Sequence, residues 1–255
     1  MFLWAKSDMK PLIITPWGTL STFVICVIVG VLAFFGILHN AMKFDRNEEY
    51  FIAPKVVCSA FIACGFAALA DSLFKINENG GLFFSGTTFY GGLIGAIIVL
   101  YLQLKFTRYK SRYTIKQWFD TLTLPFIGFH FFGRLGCFFG GCCYGKPTDS
   151  ALGVHFPDNP SGNIYHFGEA CYPTQLFEMF ALMMIFAIVL KRKNRFKTYI
   201  VLYAVARFII EFFRGDFRGG LFVIMSPAQA ISIALLITVT AECIRTKYVH
   251  RQRNI

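Results

Sequence analysis

The chain has 255 residues, 56% of them hydrophobic and 15% charged, with 31 Phe and a net charge of +11. Soluble domains carry about 25% charged residues, so this composition excludes an ordinary water-soluble fold. The basic excess does not point to nucleic acid either, because it is spread over alternate loops rather than gathered on one face.

Apolar runs near the length that crosses a bilayer, about 20 residues, recur along the chain. The first ten residues lack the basic start and small-residue cleavage site of a secretory signal. The first run, Leu20–Leu38, is therefore expected to act as an uncleaved insertion signal. Phe51–Ala70, Phe89–Leu104, Trp118–Phe132, Leu176–Leu190, Thr198–Phe213 and Pro227–Ile244 follow. They predict an all-α, polytopic membrane protein of about seven transmembrane helices, forming a single domain over residues 1–255. Neither internal repeats nor low-complexity linkers interrupt it.

Lys and Arg concentrate around 43–55, 105–116 and 191–197 and in the tail from Arg245, while the intervening loops are sparser. The positive-inside rule then places the N-terminus outside and the C-terminus in the cytoplasm.

Four polar interruptions stand out in chain order. The third run opens on Phe89-Tyr90-Gly91-Gly92-Leu93-Ile94-Gly95. Its glycines permit close helix contact, and Tyr90 belongs either to an aromatic belt at the outer interface or to a site beside the glycines. Residues 130–145 come next, with His130, Arg134, Gly136, Cys137, Cys142, Cys143 and Gly145. His130 and Arg134 share a face if the segment is helical, and a charge in an apolar segment is functional by default.

In the third interruption, Gln175 and Glu178 lie one turn apart after Pro173. Glu178 fits two readings, a carboxylate complementing a helix N-terminus and a member of a polar patch. The fourth places Arg207, Glu211 and Arg214 at i, i+4 and i+7, one charged stripe facing a polar cavity. Ser226-Pro227-Ala228-Gln229, by contrast, reads as a capping box with a first-turn proline, a purely structural feature.

The eight cysteines are too scattered for a disulfide framework. Cys26, Cys58, Cys64 and Cys243 read as small hydrophobes in helices. Cys137, Cys142 and Cys143 have a Cys-x4-Cys-Cys spacing that matches no recognised zinc pattern, so no metal is expected. A disulfide from Cys142 or Cys143 to Cys171 is expected in preference to a metal, and adjacent cysteines also leave open a membrane thiol-redox protein. The absence of inverted repeats argues against a transporter.

Tyr-Gly-Gly-Leu-Ile-Gly at 90–95, Gly-Arg-Leu-Gly-Cys-Phe at 133–138, Tyr-Gly at 144–145, Pro-Thr-Gln-Leu-Phe-Glu at 173–178 and Arg-Phe-Ile-Ile-Glu-Phe-Phe-Arg at 207–214 occur in this order on seven apolar runs. The ordered set resembles the prolipoprotein diacylglyceryl transferase family, from the first run to the last. The resemblance implies a multi-pass enzyme of the bacterial cytoplasmic membrane that needs no cofactor. It would move the diacylglyceryl group of phosphatidylglycerol onto the lipobox cysteine thiol of a prolipoprotein signal peptide. Its partners are then membrane lipid and that peptide, with no nucleic acid.

Arg134, Arg207 and Glu211 would serve the reaction by motif, with Tyr90 at the position of the usual base and His130 added from its place one turn before Arg134. Gly91, Gly92, Gly136, Cys137, Cys142, Gly145, Gln175, Glu178 and Arg214 would contact substrate. This chain departs from the family in having Tyr90 in place of histidine, Cys137 in place of asparagine, Cys142 in place of glutamate and Phe23 about where a tyrosine stands. His130 is the expected replacement for the base, its unperturbed pKa lying near neutrality. The departures also make a paralogue with another acceptor or lipid donor an alternative.

Overall fold

The computed structural model describes residues 12–15, 18–74, 88–156, 169–215 and 225–253. A two-stranded antiparallel hairpin, β1 (Leu12–Thr15) and β2 (Gly18–Ser21), pairs Leu12 with Ser21 and Thr15 with Gly18. Seven α-helices follow among the described residues: α1 (Thr22–Ala41), α2 (Arg46–Phe74), α3 (Phe89–Phe106), α4 (Ile115–Phe139), α5 (Thr174–Leu190), α6 (Arg195–Ile210) and α7 (Pro227–Arg253). A 3-10 turn, Glu211–Phe213, ends α6.

Each apolar run of the sequence thus corresponds to one helix, although the ends differ. Leu20 lies in β2 rather than α1, and the hairpin qualifies the all-α expectation. α4 runs seven residues beyond Phe132, so Arg134, Gly136 and Cys137 are helical. Five helices are long and apolar enough to cross a membrane, namely α1 to α4 and Pro227–Arg245 of α7, whereas α5 and α6 have 17 and 16 residues. The surface agrees with a lipid solvent. Leu32, Phe61, Phe66, Phe180, Met183, Ile188 and Ile209 point outward, and an aqueous fold would not leave so much large apolar surface uncovered.

Caps follow the sequence closely. Ser226 N–H donates to Gln229 Oε1 at 3.1 Å and Gln229 N–H to Ser226 Oγ at 3.2 Å, the reciprocal pair of a capping box, with Pro227 opening α7. Thr114 and Gln117 make the same exchange ahead of α4. Pro173 occupies the N-cap of α5.

The described residues divide into two compact units, one drawn from Met1–Ile37 and Thr123–Phe217, the other from Leu38–Leu122 and Arg218–Ile255. In the second unit α2 and α3 pack closely because α3 presents glycine. A methyl on Gly91 would sit 2.6 Å from Ala70 Cβ, and one on Gly95 2.5 Å from Phe66 Cβ. Neutral hydrogen bonds complete that contact, Gln103 Nε2 donating to Ser59 Oγ at 3.0 Å. Glu48 is buried there and accepts from Ser111 Oγ at 2.7 Å and the Arg112 N–H at 2.8 Å.

Candidate functional site

The first unit gathers most of the polar residues singled out in the sequence. Thr123, Ile127, His130 and Arg134 repeat at helical spacing and form one buried stripe of α4. Gln175, Glu178, Leu182, Ile185 and Val189 do the same on α5, and Tyr199, Tyr203, Arg207 and Ile210 on α6. Three apolar helices therefore turn their few polar side chains toward one another, as groups in hydrocarbon must.

Glu178 is the centre of this arrangement and is 0% exposed. Its Oε1 accepts from Arg134 Nε at 3.0 Å and from the Tyr203 hydroxyl at 2.6 Å, with His130 Nε2 at 3.5 Å. Oε2 accepts from Arg207 Nη1 at 3.3 Å, and Arg207 Nη2 reaches Glu211 Oε2 at 2.6 Å. The Tyr199 hydroxyl lies 3.4 Å from His130 Nδ1. Two guanidiniums and two carboxylates thus offset one another's charge. Burying an ion pair is seldom a net gain, yet removing one partner of such a pair costs about 3–5 kcal/mol, which makes Glu178 the residue the cluster depends on most. Of the two readings of Glu178, the polar patch describes its surroundings.

Tyr199 and Tyr203 were not singled out in the sequence. The signal was present, since Tyr199, Tyr203, Arg207 and Glu211 recur every four residues and so fall on one face of α6.

Arg214 leaves the expected stripe. The 3-10 turn ends α6, and Arg214 is extended at φ −70° and ψ 139°. It pairs instead with Gly145 in an isolated antiparallel bridge. Gly145 N–H donates to Tyr172 O and Lys146 N–H to Phe213 O, each at 2.8 Å. Three chain segments cross here, and a methyl on Gly145 would lie 2.6 Å from Tyr172 O and 2.7 Å from Phe213 O. Gly136 likewise faces α1, with Phe23 and Cys26 about 3 Å from where its Cβ would be. Backbone packing accounts for both glycines.

The loop after α4 is shaped by two left-handed residues, Gly141 and Cys143, each at φ 65°. For Cys143 this conformation costs about 1–2 kcal/mol. α5 holds the loop: Gln175 Nε2 donates to Cys142 O at 2.6 Å and Thr174 Oγ1 to Cys143 O at 2.7 Å. As a result the sulfurs of Cys137, Cys142 and Cys143 all lie within 4.8 Å of one another.

The Cys143 thiol is held well below its usual range by hydrogen bonds from Cys137 and Cys142 and, despite burial, by the charges of Arg214 and Arg134. Cys142 is pulled down by Cys137, but its hydrogen bond to Cys143, burial and the charge of Cys143 push it up to about 12. The disulfide expected to Cys171 is absent, and all eight cysteines are unbridged. Cys171 instead packs with Val154 and Phe156, its thiol directed at Glu169 O.

Tyr90, Gly91 and Gly92 belong to the second unit. Tyr90 is buried rather than placed in an exposed aromatic belt. Ser232 Oγ donates to Ala228 O at 2.8 Å, so at the 2.7 Å contact between the two hydroxyls Tyr90 is the donor. Gly91 and Gly92 face α2, but only at Gly91 would a methyl be crowded; at Gly92 it would stand 3.4 Å from Ala67 Cβ, an ordinary contact.

The family model for prolipoprotein diacylglyceryl transferase matches residues 12–245. A phosphatidylglycerol–prolipoprotein diacylglyceryl transferase of Clostridium tetani is 36% identical over 163 residues, 60% of this chain and 61% of the relative. The second such transferase of Clostridium perfringens is 33% identical over 162 residues, 61% of this chain and 60% of the relative. One from Dehalococcoides mccartyi is 29% identical over 230 residues, 83% of this chain and 84% of the relative. The matches to the two clostridial relatives thus span about three fifths of their length.

Proposed function

The chain belongs to the prolipoprotein diacylglyceryl transferase family, and from that premise we propose that it moves the diacylglyceryl group of phosphatidylglycerol onto the thiol of a prolipoprotein's lipobox cysteine. The observation that carries this reading is the buried cluster of Arg134, Arg207 and Glu178 among apolar helices, together with the family match. In the reaction the acceptor sulfur attacks the glyceryl carbon that bears the phosphate ester, and glycerol phosphate departs. Charge builds on the phosphate oxygen, where fixed cationic donors are most effective.

Arg134 is the proposed headgroup anchor, since the planar fork of a guanidinium matches the oxygens of a phosphate ester. Arg207 has both Nη atoms on carboxylates and is assigned a positioning role with Glu211. His130 has its ring nitrogens toward Glu178 and Tyr199, and we assign it to orienting Glu178 rather than to base work. Tyr90, Gly91 and Gly92 have packing and hydrogen-bonding roles in their own unit.

We read the protein as one domain of seven spans in the bacterial cytoplasmic membrane, with the N-terminus outside. The alternate basic loops support that orientation. The test is complementation of a bacterium depleted of its own transferase. Rescue by the parent and not by Arg134→Ala, at equal membrane levels, is the expected result. Absence of rescue by well-expressed parent protein would favour a paralogue with another acceptor.

A further inference from the structure

We propose that Cys137, Cys142 and Cys143 form a three-thiolate zinc site whose fourth coordination position takes the sulfur of the acceptor cysteine. The proposal deepens the transferase reading and rests on it for the identity of the acceptor.

The geometry comes first. Three sulfurs already lie within 4.8 Å of one another. Zinc–sulfur bonds of about 2.3 Å set neighbouring sulfurs about 4 Å apart, so modest side-chain rotation closes the site. The ligands come from a helix end and the loop that follows it. Left-handed backbone at Gly141 and Cys143 folds that loop back, which lets two adjacent cysteines turn their sulfurs toward Cys137. Gln175 and Thr174 hold the carbonyls of Cys142 and Cys143, the kind of outer support that fixes metal ligands in place. Spacing along the chain gave no reason to expect a metal; the fold supplies one.

The ligand count decides the kind of site. Among the described residues the cluster offers three ligand groups, one fewer than structural zinc takes. A zinc ion with three protein ligands keeps a position for water or substrate. The charge of the site is met as well. Zn²⁺ with three thiolates is a monoanion, and the arriving acceptor thiolate makes it a dianion. The guanidiniums of Arg214 and Arg134, near Cys143, offset that charge.

The chemistry balances. The acceptor thiol binds zinc and gives its proton to solvent, because a coordinating thiol is deprotonated outright. Its lone pair forms the new S–C bond to the glyceryl carbon bearing the phosphate ester. The C–O bond breaks with both electrons going to oxygen, and glycerol phosphate leaves. The thioether product carries no negative charge, so it binds zinc weakly and departs.

Metal binding is tested on full-length protein in detergent. Reduced parent protein loaded with zinc should retain about one ion per chain. Cys142→Ser and Cys143→Ser should each weaken binding on the order of 100-fold, while Cys243→Ser, at an exposed helix position, should not. Equal retention in parent and both variants, or no uptake by reduced parent, overturns the site.

The fourth position is read on parent protein loaded with cobalt. Its sulfur-to-metal absorption should rise by about a third when a lipobox peptide with a free thiol adds a fourth sulfur. The peptide with serine in place of cysteine should leave it unchanged. An unchanged spectrum with both peptides overturns the acceptor role. Full transfer by metal-stripped protein overturns the zinc mechanism while leaving the transferase reading intact. A cobalt response without any transfer from phosphatidylglycerol supports the site and counts against the lipid donor.

Discussion

The two units handle buried polarity in opposite ways. In the unit of α2, α3 and α7, the buried polar groups that pair do so with neutral partners. Tyr90 donates to Ser232, Gln103 to Ser59, and the Glu48 carboxylate takes a hydroxyl and a backbone N–H. In the unit of α5 and α6, formal charges meet formal charges through one carboxylate. The first arrangement secures helix contacts and can lose a member cheaply. The second concentrates its dependence on Glu178, as expected of a place built to meet a charged ligand.

The largest expected effect is that of Glu178→Ala, which removes the carboxylate that Arg134 and Arg207 share and leaves Arg207 with Glu211. It should cost about 3–5 kcal/mol and show as a collapse in folded yield and thermal stability in detergent. A variant as stable as the parent would erase the contrast between the units. Gly91→Ala tests the other side, where a methyl would meet Ala70 Cβ at 2.6 Å and Thr88 Oγ1 at 2.7 Å. Overpacking of that kind costs about 1–3 kcal/mol, and the thermal midpoint should fall while lipid transfer by the folded fraction survives.

Tyr203→Phe removes a hydrogen bond to a charged acceptor, worth about 1.5–3 kcal/mol. Its effect should exceed that of Tyr90→Phe, which removes a neutral bond worth about 0.5–1.5 kcal/mol. Chemical denaturation of both variants in the same detergent gives the comparison, and the reverse order would mean that Tyr90 does more than pair with Ser232.

Much of this was legible in the sequence where one local rule sufficed. Seven apolar runs correspond to seven helices, and Ser226 with Gln229 forms the expected capping box. His130 and Arg134 do share a face. Arg214 was misplaced because a seven-residue spacing assumes an unbroken helix. In fact a 3-10 turn intervenes, and Gly145 leaves room for the backbone to pass. The thiol cluster was hidden because it depends on left-handed backbone at Cys143, which a non-glycine residue does not announce. The centrality of Glu178 was hidden for another reason: its partners come from α4 and α6, and helix periodicity carries no information about which faces meet.

The bridge from Arg134 to Glu178 also imposes a timetable on synthesis. Arg134 leaves the ribosome about 44 residues before its carboxylate, an interval of roughly 2 to 9 s at ordinary elongation rates. An arginine at the centre of a lone helix enters lipid at a penalty of about 2.5–3.5 kcal/mol, an upper bound for Arg134, which lies five residues before the end of α4. α4 therefore depends on a helix not yet made when it reaches the insertion machinery, and the two should enter the bilayer together. A glycosylation reporter placed after α4 alone, and after α5, would show integration rising when the carboxylate arrives.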